Sequence, residues 1–155
     1  MKIQTITTNL SGTHKLGELI GKNLKGNETF ALMGGLGSGK TSFTQGLAKG
    51  LGIKDNITSP TFVLERIYEV PKRKFNFHHF DLYRTGSNIR GIGLLDVLGD
   101  VVTAIEWPEK IKKYLPDDTI WVEIKYQSEK SRGFMFKFPE TKKYIFKNTK
   151  SCGCS

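Results

Sequence analysis

A chain of 155 residues has room for one domain with a buried core and too little for two ordinary ones. Hydrophobic residues at 37% and charged residues at 25% exclude a disordered or fibrous chain, and no apolar run approaches the roughly 20 residues that cross a bilayer. The net charge of +9 is uneven: residues 125–155 hold eight bases against two acids, Glu129 and Glu140, which suits RNA or an acidic partner but equally a lysine-rich solvated face.

In chain order, residues 2–8 alternate weakly and are expected to form a strand. Ser11 or Thr13 is the expected cap of a helix whose apolar positions Leu16, Leu19, Ile20 and Leu24 recur at helical spacing. Lys25-Gly26-Asn27 should break it. Thr29–Met33 (TFALM) is a short apolar run typical of a strand buried on both faces, and a glycine-rich turn leads into a helical stretch from about Lys40 to Leu51. Residues 62–69 and 75–83 read as two strands joined through Pro71–Lys74 in a hairpin-like pair. A short helix is expected around Ile89–Leu98, a buried strand over residues 101–106, a short helix over Pro108–Tyr114, and strands at Thr119–Tyr126 and around the alternating Phe134, Phe136 and Phe138. The expected architecture is α/β: a P-loop NTPase-like three-layer fold whose mostly parallel central sheet gains additional antiparallel strands. One domain should span residues 1–155, with a flexible tail from about 148. Cys152 and Cys154 then read as part of that tail rather than as a metal site. The N-terminus, Met1-Lys2-Ile3-Gln4-Thr5, lacks a signal-peptide apolar stretch, so a cytoplasmic location is expected.

The most informative motif is Gly34-Gly35-Leu36-Gly37-Ser38-Gly39-Lys40-Thr41, which satisfies G-x-x-x-x-G-K-[ST] between an apolar strand and a helix. Glycines let the backbone approach phosphates closely, and the N–H groups of residues 37–41 can converge as an anion nest at a helix N-terminus. Lys40 then meets the β- and γ-phosphates of a nucleotide, and the Thr41 hydroxyl is a Mg2+ ligand. Gly35, Leu36, Gly37, Ser38, Gly39 and the following Ser42 complete the candidate phosphate contacts. Such a site needs an acid at the end of a neighbouring strand. Asp81 follows the Phe75–Phe80 stretch and Glu106 ends an apolar run; either can be the metal's carboxylate. ATP is favoured over GTP because Asn148-Thr149-Lys150 lacks the Asp of a guanine-reading element.

Three further blocks follow the P-loop in order: Ser59-Pro60-Thr61-Phe62, His79-Phe80-Asp81-Leu82-Tyr83-Arg84 and Glu106-Trp107-Pro108-Glu109. Together with GGLGSGKT, over roughly residues 10–125, they resemble the TsaE (YjeE) family. That resemblance implies a P-loop ATPase using ATP and Mg2+. It would act with TsaB and TsaD to place threonylcarbamoyl on N6 of adenosine 37 in tRNAs reading ANN codons, meeting tRNA directly or through the complex. It also implies that Thr61 sits in a switch-like loop near the γ-phosphate, that Asp81 and Glu106 serve the metal and the attacking water, that Trp107 lies beside the nucleotide, and that the segment from Leu10 to Thr13 approaches the adenine. The chain departs from the pattern at Gly35, where an acidic residue is usual, and at Thr85, where an apolar one is common.

Two other readings use the same residues. A small-molecule kinase would need an arginine-rich lid, whereas Arg66, Arg73, Arg84 and Arg90 are scattered. A nucleotide-sensing RNA-binding module would use the basic C-terminal segment and its aromatics for stacking, although phenylalanines at period two also fit one face of a packed strand.

Overall fold

The computed structural model describes residues 1–85 and 90–149. The expected short helix begins at Ile89, and that residue, Lys150, Cys152 and Cys154 lie outside the described residues.

Seven strands form one sheet: β1 (Lys2–Thr7), β2 (Thr29–Met33), β3 (Glu65–Glu69), β4 (Asn76–Asp81), β5 (Val102–Glu106), β6 (Ile120–Tyr126) and β7 (Arg132–Lys137), in the order β1-β7-β6-β2-β5-β4-β3. The four inner strands β6, β2, β5 and β4 are parallel, while β7, β1 and β3 pair antiparallel at the margins. This is the expected mixed architecture. β2 is central because all but its last residue is buried, so it must be covered on both faces and both edges.

Helices α1 (Leu10–Gly21) and α2 (Lys40–Gly50) cover one face. There Leu16, Ile20, Phe43 and Leu47 pack on Phe30, Leu32, Val122, Phe134 and Phe136. The two helices touch through glycines spaced four apart, Gly17 and Gly21 on α1, Gly46 and Gly50 on α2. A Cβ at Gly17 would lie 2.5 Å from the Phe43 carbonyl oxygen, and one at Gly46 would overlap that of His14. The other face has a smaller cluster in which Phe80, Leu82 and Ile105 are capped by Leu94 of the short helix α3 (Leu94–Val97) and Ile111 of a 3-10 segment, Pro108–Tyr114.

Some local expectations shift. α1 begins earlier than expected, because Asn9 takes the extended N-cap conformation and its side chain accepts from Gly12 N at 2.7 Å. Thr13 lies inside the helix, buried, with its hydroxyl 2.8 Å from that of Thr7. The helix stops at Gly21, before Lys25-Gly26-Asn27, and Leu24 joins the core from the following turn. The strand expected from residue 62 begins at Glu65: Val63 N and Leu64 N both donate to the Pro60 carbonyl, which holds residues 61–63 in a turn.

A 3-10 segment, Glu140–Phe146, follows β7 and packs on the same face as α1. It is anchored by Glu28, which is fully buried: its carboxylate accepts from the backbone N–H groups of Lys25, Gly26 and Asn27 and from the Tyr144 hydroxyl. Phe134, Phe136 and Phe138 are core residues, and the Phe146 ring packs edge-on against Phe136 and tilted against Phe138. That packing removes those rings from any stacking surface for RNA.

Candidate nucleotide site

Parallel strands present their C-terminal ends on one edge, and the chain uses that edge of the sheet for its polar residues. β4 and β5 pair with Asp81 opposite Glu106. Period-two alternation places both carboxylates on the face that α2 covers, in line with Phe77 and Val102 of the main core. β2 ends at Met33 beside them and turns through the glycine-rich loop into α2. Gly37 and Gly39 take positive φ, 72° and 108°, a conformation that glycine adopts without a Cβ penalty.

A cleft of about 630 Å³ opens over this loop. Leu36, Gly37, Ser38, Gly39, Lys40, Thr41 and Ser42 line its floor, with Thr61, Asp81, Glu106 and Trp107 on one wall and Leu10 and Thr13 on another. Gly35 does not reach it. It lies on the opposite side of the loop beside Glu123 and Tyr126, and its carbonyl accepts from Lys40 Nζ and Ser38 N.

Lys40 Nζ folds back onto the loop, donating to the Gly34 and Gly35 carbonyls at 2.7 and 2.9 Å, and sits 4.2 Å from the Trp107 ring centroid. Burial pushes its pKa below the ordinary lysine value, opposed first by the Glu106 carboxylate and then by Asp81. Trp107 reaches this position from a left-handed backbone, φ 59°, directly after β5; a non-glycine residue there costs about 1–3 kcal/mol. Its ring also meets Tyr83, with centroids 4.9 Å apart.

The two carboxylates have different neighbours. Asp81 Oδ2 accepts from the Ser59 and Thr61 hydroxyls, each at 2.8 Å, and Oδ1 from Tyr83 N at 2.9 Å. Glu106 Oε1 accepts from the Thr41 hydroxyl at 3.0 Å and lies 2.9 Å from His79 Nε2. Both acids are nearly inaccessible to solvent, so their partners decide their orientation.

Several residues beyond the expected site residues are also found here. Ser59 belongs to a quoted block, and its hydroxyl is placed only by the turn before β3. Tyr83 and Arg84 line the cleft just beyond β4, with the Arg84 guanidinium 4.9 Å from the Phe62 ring. Glu129 and Lys130 arrive from the turn between β6 and β7, and Arg132 from the first position of β7. Arg132 stacks on Tyr126 at 4.8 Å and donates to the Gly37 carbonyl at 3.3 Å. No motif marks that turn; only the antiparallel return of β7 brings it to the loop. Arg73, by contrast, donates to the Leu24 carbonyl away from the cleft, which among the described residues Arg84 and Arg132 line.

Residues 7–134 match the family described as threonylcarbamoyl adenosine biosynthesis protein TsaE. A tRNA threonylcarbamoyladenosine biosynthesis protein TsaE from Treponema pallidum is 33% identical over 84% of this chain and 96% of its own length. A protein of the same name from Aquifex aeolicus is 40% identical over 77% and 84%. The crystal structure of Bacillus subtilis YdiB superposes with a TM-score of 0.79 at 26% identity, covering 97% of this chain and 95% of that one. On this sequence match, carried through the same fold, the chain belongs to the TsaE family.

Proposed function

We propose that this protein is the ATP-binding and ATP-hydrolysing component required for threonylcarbamoylation of adenosine 37 in tRNAs reading ANN codons, working as one domain in the cytoplasm with TsaB and TsaD. The observation that carries the ATPase reading is the convergence of Lys40, Thr41, Asp81 and Glu106 on one glycine-rich loop. The names of the family's members support the pathway.

The residues suit Mg2+. Thr41 and Glu106 offer hard oxygen donors already 3.0 Å apart, and Asp81 adds a second carboxylate. When bound, Mg2+ would supply positive charge to offset the negative charge that develops on the phosphate. The chain's own part is positional. The loop N–H groups and Lys40 would hold the phosphates, Lys40 exchanging the Gly34 and Gly35 carbonyls for phosphate oxygens. Thr61 and Ser59 fix Asp81, and through it the turn that carries Phe62. Trp107 and the Leu10–Thr13 segment would bound the nucleoside. Hydrolysis is slow until a partner surface completes the shell around the attacking water. The tRNA would be met directly or through the assembled complex.

The test is Mg-ATP hydrolysis by the purified chain, alone and with a cognate TsaB–TsaD pair, with Lys40→Ala as control. Stimulation by the pair that vanishes in the variant is the expected result. Unchanged nucleotide binding and tRNA modification in the variant would overturn the reading.

A further inference from the structure

His79 is fully buried in β4 and belongs to no role assigned so far. It shares a sheet face with Phe77 and Asp81, and its backbone pairs with Ala104, two residues before Glu106 on the adjacent strand. The imidazole therefore reaches diagonally along the sheet to Glu106, with Nε2 at 2.9 Å from Oε1. A carboxylate only accepts, so the hydrogen bond assigns the proton to Nε2. Nδ1 is buried with no partner among the described residues, which leaves a bare lone pair in the core. A ring kept wholly inside with one nitrogen unsatisfied carries a desolvation penalty that only its other contact offsets.

That contact changes what Glu106 can do. Oε1 is occupied twice, by His79 and by the Thr41 hydroxyl. Among the described residues no protein donor engages Oε2, whereas Asp81 has both oxygens engaged by Ser59, Thr61 and the Tyr83 N–H. Of the two acids at this edge, Glu106 is the one with an oxygen left over, and it lines the cleft. The Thr41 proton, directed at Oε1, also leaves that hydroxyl's lone pairs free.

We propose that His79 is a positioning residue for Glu106: by donating to Oε1 it holds the carboxylate beside Thr41 with Oε2 available to a hydrated Mg2+ brought by the nucleotide. The inference rests on the Mg-nucleotide reading of this cleft. It makes Glu106 the acid on the metal's side and Asp81 the acid that ties the Ser59–Phe62 turn to the sheet.

The experiment compares His79→Gln with His79→Asn. Both bury one neutral amide, but the glutamine amide reaches the place of Nε2, whereas the asparagine amide stops near that of Nδ1. Binding of the imido-bridged, non-hydrolysable ATP analogue is measured by calorimetry with and without Mg2+, below each variant's melting midpoint. The wild type should bind more tightly with Mg2+. His79→Asn should lose roughly 10–100-fold of that gain, the usual effect of removing a partner behind a metal ligand, and keep its Mg2+-free affinity. His79→Gln should retain most of the gain. Adding His79→Asn to Glu106→Gln should bring little further loss, because His79 acts only through Glu106. Equal behaviour of the two histidine variants, loss of Mg2+-free affinity in both, or additive losses in the double variant would overturn the proposal. A wild type that does not bind the analogue would instead overturn the nucleotide reading, and this inference with it.

Discussion

The centre of the sheet and its margins reach the same cleft by different routes. In the centre, β2, β5 and β4 run parallel, so their last residues arrive together: the phosphate loop after Met33, Glu106 and Asp81. At the margins the strands are antiparallel, and connections rather than strand ends reach that edge. Thr7 pairs with Arg132, and Arg132 with Tyr126. This register brings the start of α1, with Leu10 and Thr13, and the β6–β7 turn, with Glu129 and Lys130, to the edge where β2 ends. Glu65 opposite Phe80 does the same for the Ser59–Leu64 turn. Parallel strands place catalytic groups in fixed register; antiparallel returns supply the loops that enclose a ligand.

The sharpest break in this comparison lies at the centre. Lys40→Ala should lower partner-stimulated hydrolysis by about 10²–10³-fold, the scale of losing one preorganised charge-stabilising donor. Its melting midpoint should scarcely move, because the variant removes the cost of burying the ammonium together with its contacts to the loop carbonyls.

Next in size, Gly46→Val strikes the scaffold instead. Its new side chain would meet the His14 carbonyl and drive α1 from α2, costing about 1–3 kcal/mol in urea unfolding. A variant that lost activity without losing stability would show that the helix pair positions the loop more than it supports the core.

At the margin, Arg132→Ala should raise the KM for ATP about tenfold and leave kcat nearly unchanged, as for a charged contact made equally before and during reaction. An unchanged KM would confine nucleotide recognition to the centre.

Tyr144→Phe should cost about 1 kcal/mol near neutral pH through its lost bond to Glu28. Burial first, then the bond to Glu28, raises the Tyr144 phenol above its ordinary value. The folded state therefore holds this proton more tightly. Its contribution is complete below the unfolded phenol's pKa of about 10 and is lost as pH rises from there through the folded value. The variant's alkaline unfolding should lack that component.

The smallest effect belongs to Gly35→Asp, which installs the acid usual in the family. A Cβ there meets nothing within 4 Å, so stability should change by less than about 0.5 kcal/mol. Basal hydrolysis then reports whether that carboxylate matters chemically, since Gly35 lies on the far side of the loop from the cleft.

Much of this molecule was legible in the chain because it depends on neighbours in sequence. TFALM announces a strand buried on both faces, GGLGSGKT a strand-to-helix turn with positive φ, and the alternating phenylalanines a packed strand. The blocks around Thr61, Asp81 and Glu106 mark three positions that the structure brings to one cleft. Asn9 as the cap of α1 and the Glu140–Phe146 segment were not legible. The first competes with equally good capping residues nearby, and the second holds by a contact to Glu28 more than a hundred residues away. The sequence alone determined which residue types could bind phosphate and magnesium, since that chemistry belongs to side chains and glycine spacing. Only the tertiary structure decided that Arg132 joins the site, that Gly35 faces away from it, and that Glu106 rather than Asp81 keeps a free oxygen. Those outcomes depend on strand register and on hydrogen-bond partners that are distant in sequence.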